Sequence, residues 1–141
     1  MIGFFISLVS GVLMSVQGIW NTQLTRVSGI WTANTFVQFT ALLVCLGGWL
    51  ISERLPFSMV FRVEPKYMLA GGILGALITY TVIRGVSLLG PARAIMVIVV
   101  SQLTASYLIQ VLGWFGVEQQ PLEWKKVAGL VLAVIGVSIF K

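Results

Sequence analysis

The sequence predicts an all-α, polytopic membrane protein built as a bundle of five transmembrane helices. Of its 141 residues, 58% are hydrophobic and only 9% are charged, and the mean hydropathy is +1.01. A soluble domain of this size needs more polar surface than so few charged side chains supply. The apolar residues also run in uncharged stretches of about 20, the length that crosses a hydrocarbon core of roughly 30 Å. Because these stretches lack strict period-two alternation, helices are the expected spanning elements.

Five runs have this length, and together they predict a single five-helix transmembrane domain over residues 1–141. The first run is kept as a span and not as a secretory signal, because it lacks a basic leading region and ends at Trp20-Asn21-Thr22 instead of a small-residue cleavage site. All four prolines stand at or outside the ends of the runs, where proline is tolerated. The predicted spans are residues 2–24, 30–51, 67–88, 91–115 and 124–140.

The residue inventory excludes several classes of function. The chain has no His, and its four acidic residues are all Glu, so neither a His–Asp catalytic relay nor a zinc cluster can form within one chain. Its single Cys, Cys45, lies in an apolar run and is expected to be a small buried hydrophobic residue. The basic residues are scattered and do not form the patch typical of nucleic-acid binding. We therefore expect no enzyme activity, no metal, no cofactor and no nucleic-acid partner.

The basic residues are divided almost evenly between the two faces of the membrane. Orientation follows the Lys and Arg bias of short loops, so a difference of one residue specifies insertion only weakly. Two interpretations stay open: a modest preference for the N-terminus inside, or dual topology, in which the same chain inserts both ways up. The face with the N-terminus carries Arg54, Arg62, Lys66, Lys125 and Lys126, and the other face carries Arg26, Arg84, Arg93 and Lys141.

Each of the first four predicted helices carries one line of polar side chains. Positions three, four and seven apart share a helix face. Polar side chains are poorly placed against lipid, so these lines are expected to face one another or a water-filled cavity. The lines are Ser10, Met14, Gln17 and Asn21 in the first span, Trp31, Asn34, Gln38 and Cys45 in the second, Tyr80, Arg84 and Ser87 in the third, and Gln102 and Ser106 in the fourth.

Two explanations compete for these polar lines. The amides can hold helices together through interhelical hydrogen bonds worth about 0.6 to 2 kcal/mol each, or they can line a binding site for a small polar solute near the middle of the membrane. One amide alone is explained by the first, whereas lines on four helices favour the second. The candidate substrate-binding residues are Gln17, Asn21, Asn34, Gln38, Tyr80, Arg84, Gln102 and Ser106.

Three further side chains near these lines need separate interpretation. Thr22 and Gln23 lie off the line of the first span and are expected at the membrane interface. Arg84 is the one charge clearly inside a span, and it either extends to the interface or serves as a functional cation; both interpretations stay open. No Glu lies inside any span, so a membrane proton relay has no candidate carboxylate.

Four segments of the sequence resemble one family of small bacterial membrane proteins. In "GVLMSVQGIWNTQL", Gln17, Asn21 and Leu24 match a Q-x-x-x-N-x-x-L core, and "LAGGILGAL" is similar to a glycine-rich third helix. "LGPARA" with "SQLTASYLIQVLGWFGV" is similar to a fourth helix and its loop, and "PLEWKKVAGLVLAVIGV" to a closing helix. The family is the DUF606 (YdcZ-like) family of the drug/metabolite transporter superfamily, and the resemblance covers nearly the whole chain. Members often carry an Asp where this chain has "LGWFG".

The resemblance implies half of a ten-helix, inverted-repeat transporter in the bacterial inner membrane. Members occur as dual-topology chains, oppositely inserted pairs or fused ten-helix proteins. We therefore expect a subunit that exports a small polar or charged metabolite by alternating access. Its expected partners are the lipid bilayer, a small-molecule substrate, and either a second copy in antiparallel orientation or an oppositely inserted paralogue. The alternative is a non-transporting scaffold or accessory subunit.

Overall fold

Five α-helices form the architecture. The computed structural model describes residues 1–140, apart from the side chain of Glu53, and Lys141 lies outside the described residues. No residue from 1 to 140 lies in a strand, so the predicted all-α class is confirmed. The helices are α1 (Ile2–Ser28), α2 (Ile30–Gly48), α3 (Gly71–Leu89), α4 (Pro91–Leu112) and α5 (Trp124–Ile139).

Shorter helical turns extend or follow three of these helices. A π-helical turn, Trp49–Glu53, continues α2, and two 3₁₀ turns, Phe57–Arg62 and Lys66–Ala70, lead into α3. A further 3₁₀ turn, Trp114–Gly116, follows α4. The connection between α2 and α3 is therefore a series of short turns.

Four helical segments among residues 1–140 are long and apolar enough to cross a membrane: Ile2–Ser28, Ile30–Ser52, Lys66–Leu89 and Pro91–Leu112. The fifth helix, α5, has 16 residues and measures about 24 Å at 1.5 Å per residue, less than a hydrocarbon core of roughly 30 Å. A short span can be accommodated by local thinning of the bilayer. That α5 crosses, as predicted for residues 124–140, stays a prediction.

Two helix junctions each consist of a single glycine. Gly29, between α1 and α2, has φ 79° and ψ 159°, and Gly90, between α3 and α4, has φ 78° and ψ 159°. Only glycine adopts this region without strain. Each glycine carbonyl accepts the first hydrogen bond of the next helix, from the N–H of Ala33 at 3.0 Å and of Ala94 at 3.1 Å. Each junction therefore consists of one residue whose backbone conformation favours glycine.

The first helix is longer than predicted. A connection was expected at residues 25–29, where polar residues interrupt the apolar run, but α1 continues to Ser28. The hydroxyl groups of Thr25 and Ser28 donate to the carbonyl oxygens of Asn21 and Leu24, at 2.8 and 2.9 Å. These side chains are thus satisfied within the helix, and Gly29 alone forms the junction.

The chain divides into two compact units, Met1–Ser87 and Leu88–Lys141. In the first unit α1 packs against α2, and in the second α4 packs against α5. That the two units form the single domain predicted for residues 1–141 stays a prediction. The buried residues of the first unit are Gly18, Asn21 and Thr22 of α1, Ala33 and Asn34 of α2, and Ile83 and Val86 of α3.

The core of the first unit lies at the end next to Gly29. Its members come from the C-terminal half of α1 and the N-terminal half of α2, together with the C-terminal half of α3. Residues 1–14, by contrast, are exposed throughout. The first half of α1 therefore takes no part in the core of the first unit.

Candidate functional site

A polar contact joins α2 to α3 inside the first unit. Asn34 donates a hydrogen bond from Nδ2 to the carbonyl oxygen of Ala76, at 3.0 Å, and its side chain is only 3% exposed. Nearby, the rings of Trp31 and Tyr80 stack with their centroids 5.1 Å apart. Since residue numbers rise along α2 as they fall along α3, the two helices run antiparallel through this contact. It brings three predicted polar-line residues, Trp31, Asn34 and Tyr80, to one place.

The other amide atom of Asn34 has no partner. Its Oδ1 is buried and accepts no hydrogen bond from the described residues. The assignment of the two amide atoms is fixed by chemistry, because a carbonyl oxygen such as that of Ala76 can only accept and must therefore face Nδ2. A buried, unpaired acceptor costs about 1 to 3 kcal/mol. Because this oxygen is fully buried, only a group that enters the packed region around Asn34 could donate to it.

Two polar residues of α1, Asn21 and Thr22, are buried, at 8% and 6% exposed. At Gly18 on the same helix a Cβ atom would lie 3.3 Å from Cγ1 of Val82, so α1 and α3 approach closely at this position. The Thr22 hydroxyl donates to the carbonyl oxygen of Gly18 at 2.8 Å. With its hydroxyl bonded inside its own helix, Thr22 packs in the core; that Thr22 and Gln23 lie at the level of the membrane interface stays a prediction.

The polar line of α1 lies along a groove of about 520 Å³. Every residue that lines the groove belongs to α1, so α1 forms one wall. Gln17 is exposed within it, while Asn21 closes the buried end. The groove therefore presents neutral hydrogen-bonding groups among apolar ones. It is lined by Ser10, Leu13, Met14, Val16, Gln17, Trp20 and Asn21.

The polar lines of α2 and α3 also include Gln38, Cys45 and Arg84, which do not line this groove. Gln38 is half-buried on α2, and Arg84 is exposed on α3 with no hydrogen-bond or ion-pair partner in residues 1–140. Both interpretations of Arg84 stay open. Cys45 is exposed, so the expectation that it is buried is wrong; it lies in the C-terminal half of α2, away from the end that holds the core.

In the second unit, Gln102 and Ser106 are exposed on α4. Ser106 lines a groove of about 410 Å³ between α4 and α5, together with Tyr107, Gln110 and Lys126. Gln102 and Ser106 belong to the second unit, and their convergence with the amides of the first unit stays a prediction.

The start of α5 is held to α4 by a small polar cluster. The Tyr107 hydroxyl accepts from the N–H of Glu123 at 2.9 Å and donates to the carbonyl oxygen of Glu123 at 3.3 Å. Nζ of Lys126 lies 2.6 Å from Oε1 of Glu123. This cluster fixes where α5 begins and was not predicted from the sequence, because Tyr107 carries no local signal for such a contact.

Gly18 and Thr22 were also missed, although a signal for them exists. Two small residues four positions apart on a membrane helix allow close approach of a neighbouring helix, and Gly18 and Thr22 have this spacing. Within residues 1–140, no three His, Cys, Asp or Glu side chains are grouped to hold a metal ion. The polar side chains that line the α1 groove are those of Ser10, Gln17 and Asn21, beside the indole of Trp20.

Comparison with known proteins identifies the family to which the chain belongs. No curated protein and no solved structure is significantly similar to the chain. The family described as "Putative inner membrane exporter, YdcZ" matches residues 2–139, which include every candidate site residue. Since this match covers nearly the whole length, the chain belongs to the YdcZ family of inner membrane exporters and is a multi-pass protein of the inner membrane.

Proposed function

We propose that the protein is one subunit of an exporter for a small polar or charged metabolite, and that it works by alternating access as an antiparallel dimer. The observation that carries this proposal is the groove on α1, in which Gln17 is exposed and Asn21 is largely buried. Amides set in an apolar lining bind and orient small polar solutes. Asn34, with its unpaired Oδ1, adds an acceptor on the neighbouring helix of the same unit.

The substrate is held chiefly by hydrogen bonds in this proposal. None of the five α-helices contains a carboxylate, and Arg84 is the one basic residue away from a helix end. Neutral amides discriminate by the pattern of donors and acceptors and do not require a particular charge. The proposal therefore needs no embedded acid for binding.

The antiparallel partner is supported by the open side of the α1 groove. All lining residues come from one helix, and residues 1–14 are exposed, so a second chain can supply an opposite wall. A copy inserted the other way up would produce the inverted repeat on which alternating access around a central site depends. The almost even division of basic residues is compatible with either insertion. An oppositely inserted paralogue would serve in the same way.

The alternative is a non-transporting scaffold. The Asn34–Ala76 hydrogen bond favours this alternative, because it shows one of the amides joining two helices.

The discriminating experiment compares metabolites inside cells and in the medium with and without the protein. Gln17→Ala should remove the difference that the wild type produces. Gln23→Ala, on the same helix but outside the groove, should keep it. Equal membrane abundance of both variants supports transport, whereas abundance of Gln17→Ala that falls in step with its activity supports the scaffold.

A further inference from the structure

The connection between α2 and α3 exposes large apolar side chains at the membrane surface. Phe57, Val60 and Phe61 are each more than half exposed. They lie between two segments able to span the membrane, Ile30–Ser52 and Lys66–Leu89, so the chain itself holds them at the level of the lipid headgroups. Exposed apolar patches of this kind mark contact with another molecule or with a membrane.

The beginning of this connection is fixed against the end of α2. The indole Nε1 of Trp49 donates to the carbonyl oxygen of Leu55 at 2.8 Å. The Trp49 ring also packs on Phe57, with the centroids 4.8 Å apart. The connection therefore presents a defined surface.

A groove of about 530 Å³ opens in this segment. Met59, Val60, Val63 and Met68 form much of its apolar lining, and Arg62 is the charged residue in it. Gly71 and Gly72, at the start of α3, complete one side, and a Cβ atom at either glycine would meet open space. The groove thus combines an apolar lining with a single guanidinium group.

The guanidinium of Arg62 is available to a ligand. Within residues 1–140 it has no hydrogen-bond or ion-pair partner, whereas the two neighbouring basic residues are engaged. Arg54 donates from Nε to the carbonyl oxygen of Leu50 at 2.7 Å. Lys66 donates to the carbonyl oxygen of Phe61 at 2.7 Å and lies 3.4 Å from the carboxylate of Glu64. Arg62 is therefore the free cation of this groove.

We propose that this groove binds an anionic phospholipid, with the phosphate on Arg62 and the glycerol and upper acyl chain along the methionine and valine lining. A guanidinium matches phosphate oxygens through paired hydrogen bonds, and an apolar lining beside it matches a ligand that is itself amphipathic. Basic segments next to membrane spans also attract anionic lipids. This site is separate from the α1 groove, and the proposal does not depend on the exported substrate.

Native mass spectrometry of the full chain in detergent tests this proposal. The probes are phosphatidylglycerol and phosphatidylcholine with the same acyl chains, titrated separately. The wild type should bind phosphatidylglycerol about fivefold more tightly, the factor that corresponds to about 1 kcal/mol per basic residue at an anionic surface. Arg62→Ala should abolish this preference, and Arg62→Lys should keep part of it.

Two variants separate the groove from general surface charge. Gly72→Leu should weaken binding of both lipids by filling the groove, since its side chain enters open space. Arg26→Ala removes an exposed cation at the end of α1 and should leave the preference unchanged. Circular dichroism should show equal helix content in all variants, and a variant that fails this check is replaced at the same position by Gln for Arg62 or Ala for Gly72.

Three results would overturn the proposal. The first is a wild type that binds both lipids equally, and the second is an equal loss of preference in Arg26→Ala and Arg62→Ala. The third is displacement of phosphatidylglycerol by inorganic phosphate, which would identify a site for soluble anions. Retention of the lipid in excess inorganic phosphate supports a lipid site.

Discussion

Asn34 on α2 donates its amide N–H to the carbonyl oxygen of Ala76 on α3, at 3.0 Å, while its own oxygen accepts nothing from the described residues. One half of this buried amide therefore joins two helices, and the other half is left for a further donor. Both explanations of the embedded amides, as links between helices and as solute ligands, meet in this one side chain.

Replacing Asn34 tests the contact with Ala76. Asn34→Ala should lower stability by about 1 kcal/mol, the typical worth of one interhelical hydrogen bond. Asn34→Asp should lower it further, because a carboxylate cannot donate to the Ala76 carbonyl and would be a buried, unpaired charge. The measurement is thermal unfolding of the purified protein in detergent, followed by circular dichroism. An Asn34→Ala protein that unfolds at the wild-type temperature would contradict a stabilising contribution of the bond to Ala76.

The two junction glycines should be intolerant of any side chain. Gly29→Ala and Gly90→Ala should each lower stability by about 1 to 3 kcal/mol, because both positions have a backbone conformation that is strained for other residues. Gly11→Ala is the matched control: Gly11 lies within α1 with open space around it, and alanine is favoured in a helix by about 0.5 to 1 kcal/mol. Resistance to unfolding in a denaturing detergent can rank the three variants. A Gly29→Ala protein as stable as Gly11→Ala would contradict the single-residue junction.

Much of the helical architecture could be predicted from the sequence, since long apolar runs leave few alternatives. The boundary at Gly90 and Pro91 was placed to within one residue, because glycine and proline act locally. The extension of α1 to Ser28 could not be foreseen, since it depends on hydroxyl groups returning to their own helix backbone.

The arrangement of the polar lines was predicted only in part, because it also depends on how the helices pack. Helical periodicity placed Ser10, Met14, Gln17 and Asn21 on one face, and these four residues share the α1 groove. Periodicity cannot show which helix lies opposite a given face. The pairing of Asn34 with a backbone carbonyl on α3 and the burial of Thr22 both depend on that packing.

Thiol accessibility separates a water-filled binding site from helix contacts. In a Cys45→Ala background, cysteine at position 17 should react rapidly with a water-soluble maleimide, because Gln17 is exposed in the groove. Cysteine at position 21 should react more slowly, because Asn21 is only 8% exposed. Cysteines at positions 38 and 102 are tested in the same way. If none of the four cysteines reacts with the maleimide in intact membranes, the result would favour the scaffold.

The position of the C-terminus tests whether the short helix α5 crosses the membrane. Gln23→Lys with Val27→Lys adds charge at exposed positions beside Arg26 and should keep that end of α1 in the cytoplasm. Two reporters are fused after Lys141 in turn, one active only in the cytoplasm and one active only outside it. If α5 crosses the membrane, the C-terminus lies on the same side as Arg26, so only the cytoplasmic reporter should be active. Activity of the external type alone would mean that α5 does not cross, and that the chain has the four spans that length and hydropathy identify.

Export by two oppositely oriented copies is tested most directly by coexpression of two variants with fixed orientations. One is the Gln23→Lys, Val27→Lys variant, and the other carries Ser58→Lys with Glu118→Lys, two exposed positions on the opposite face. The measurement is the amount of exported metabolite in the medium. Cells that express either variant alone should export no more metabolite than cells without the protein. Cells that express both variants should export as much as cells with the wild type. Full export by either variant alone would contradict the antiparallel pair.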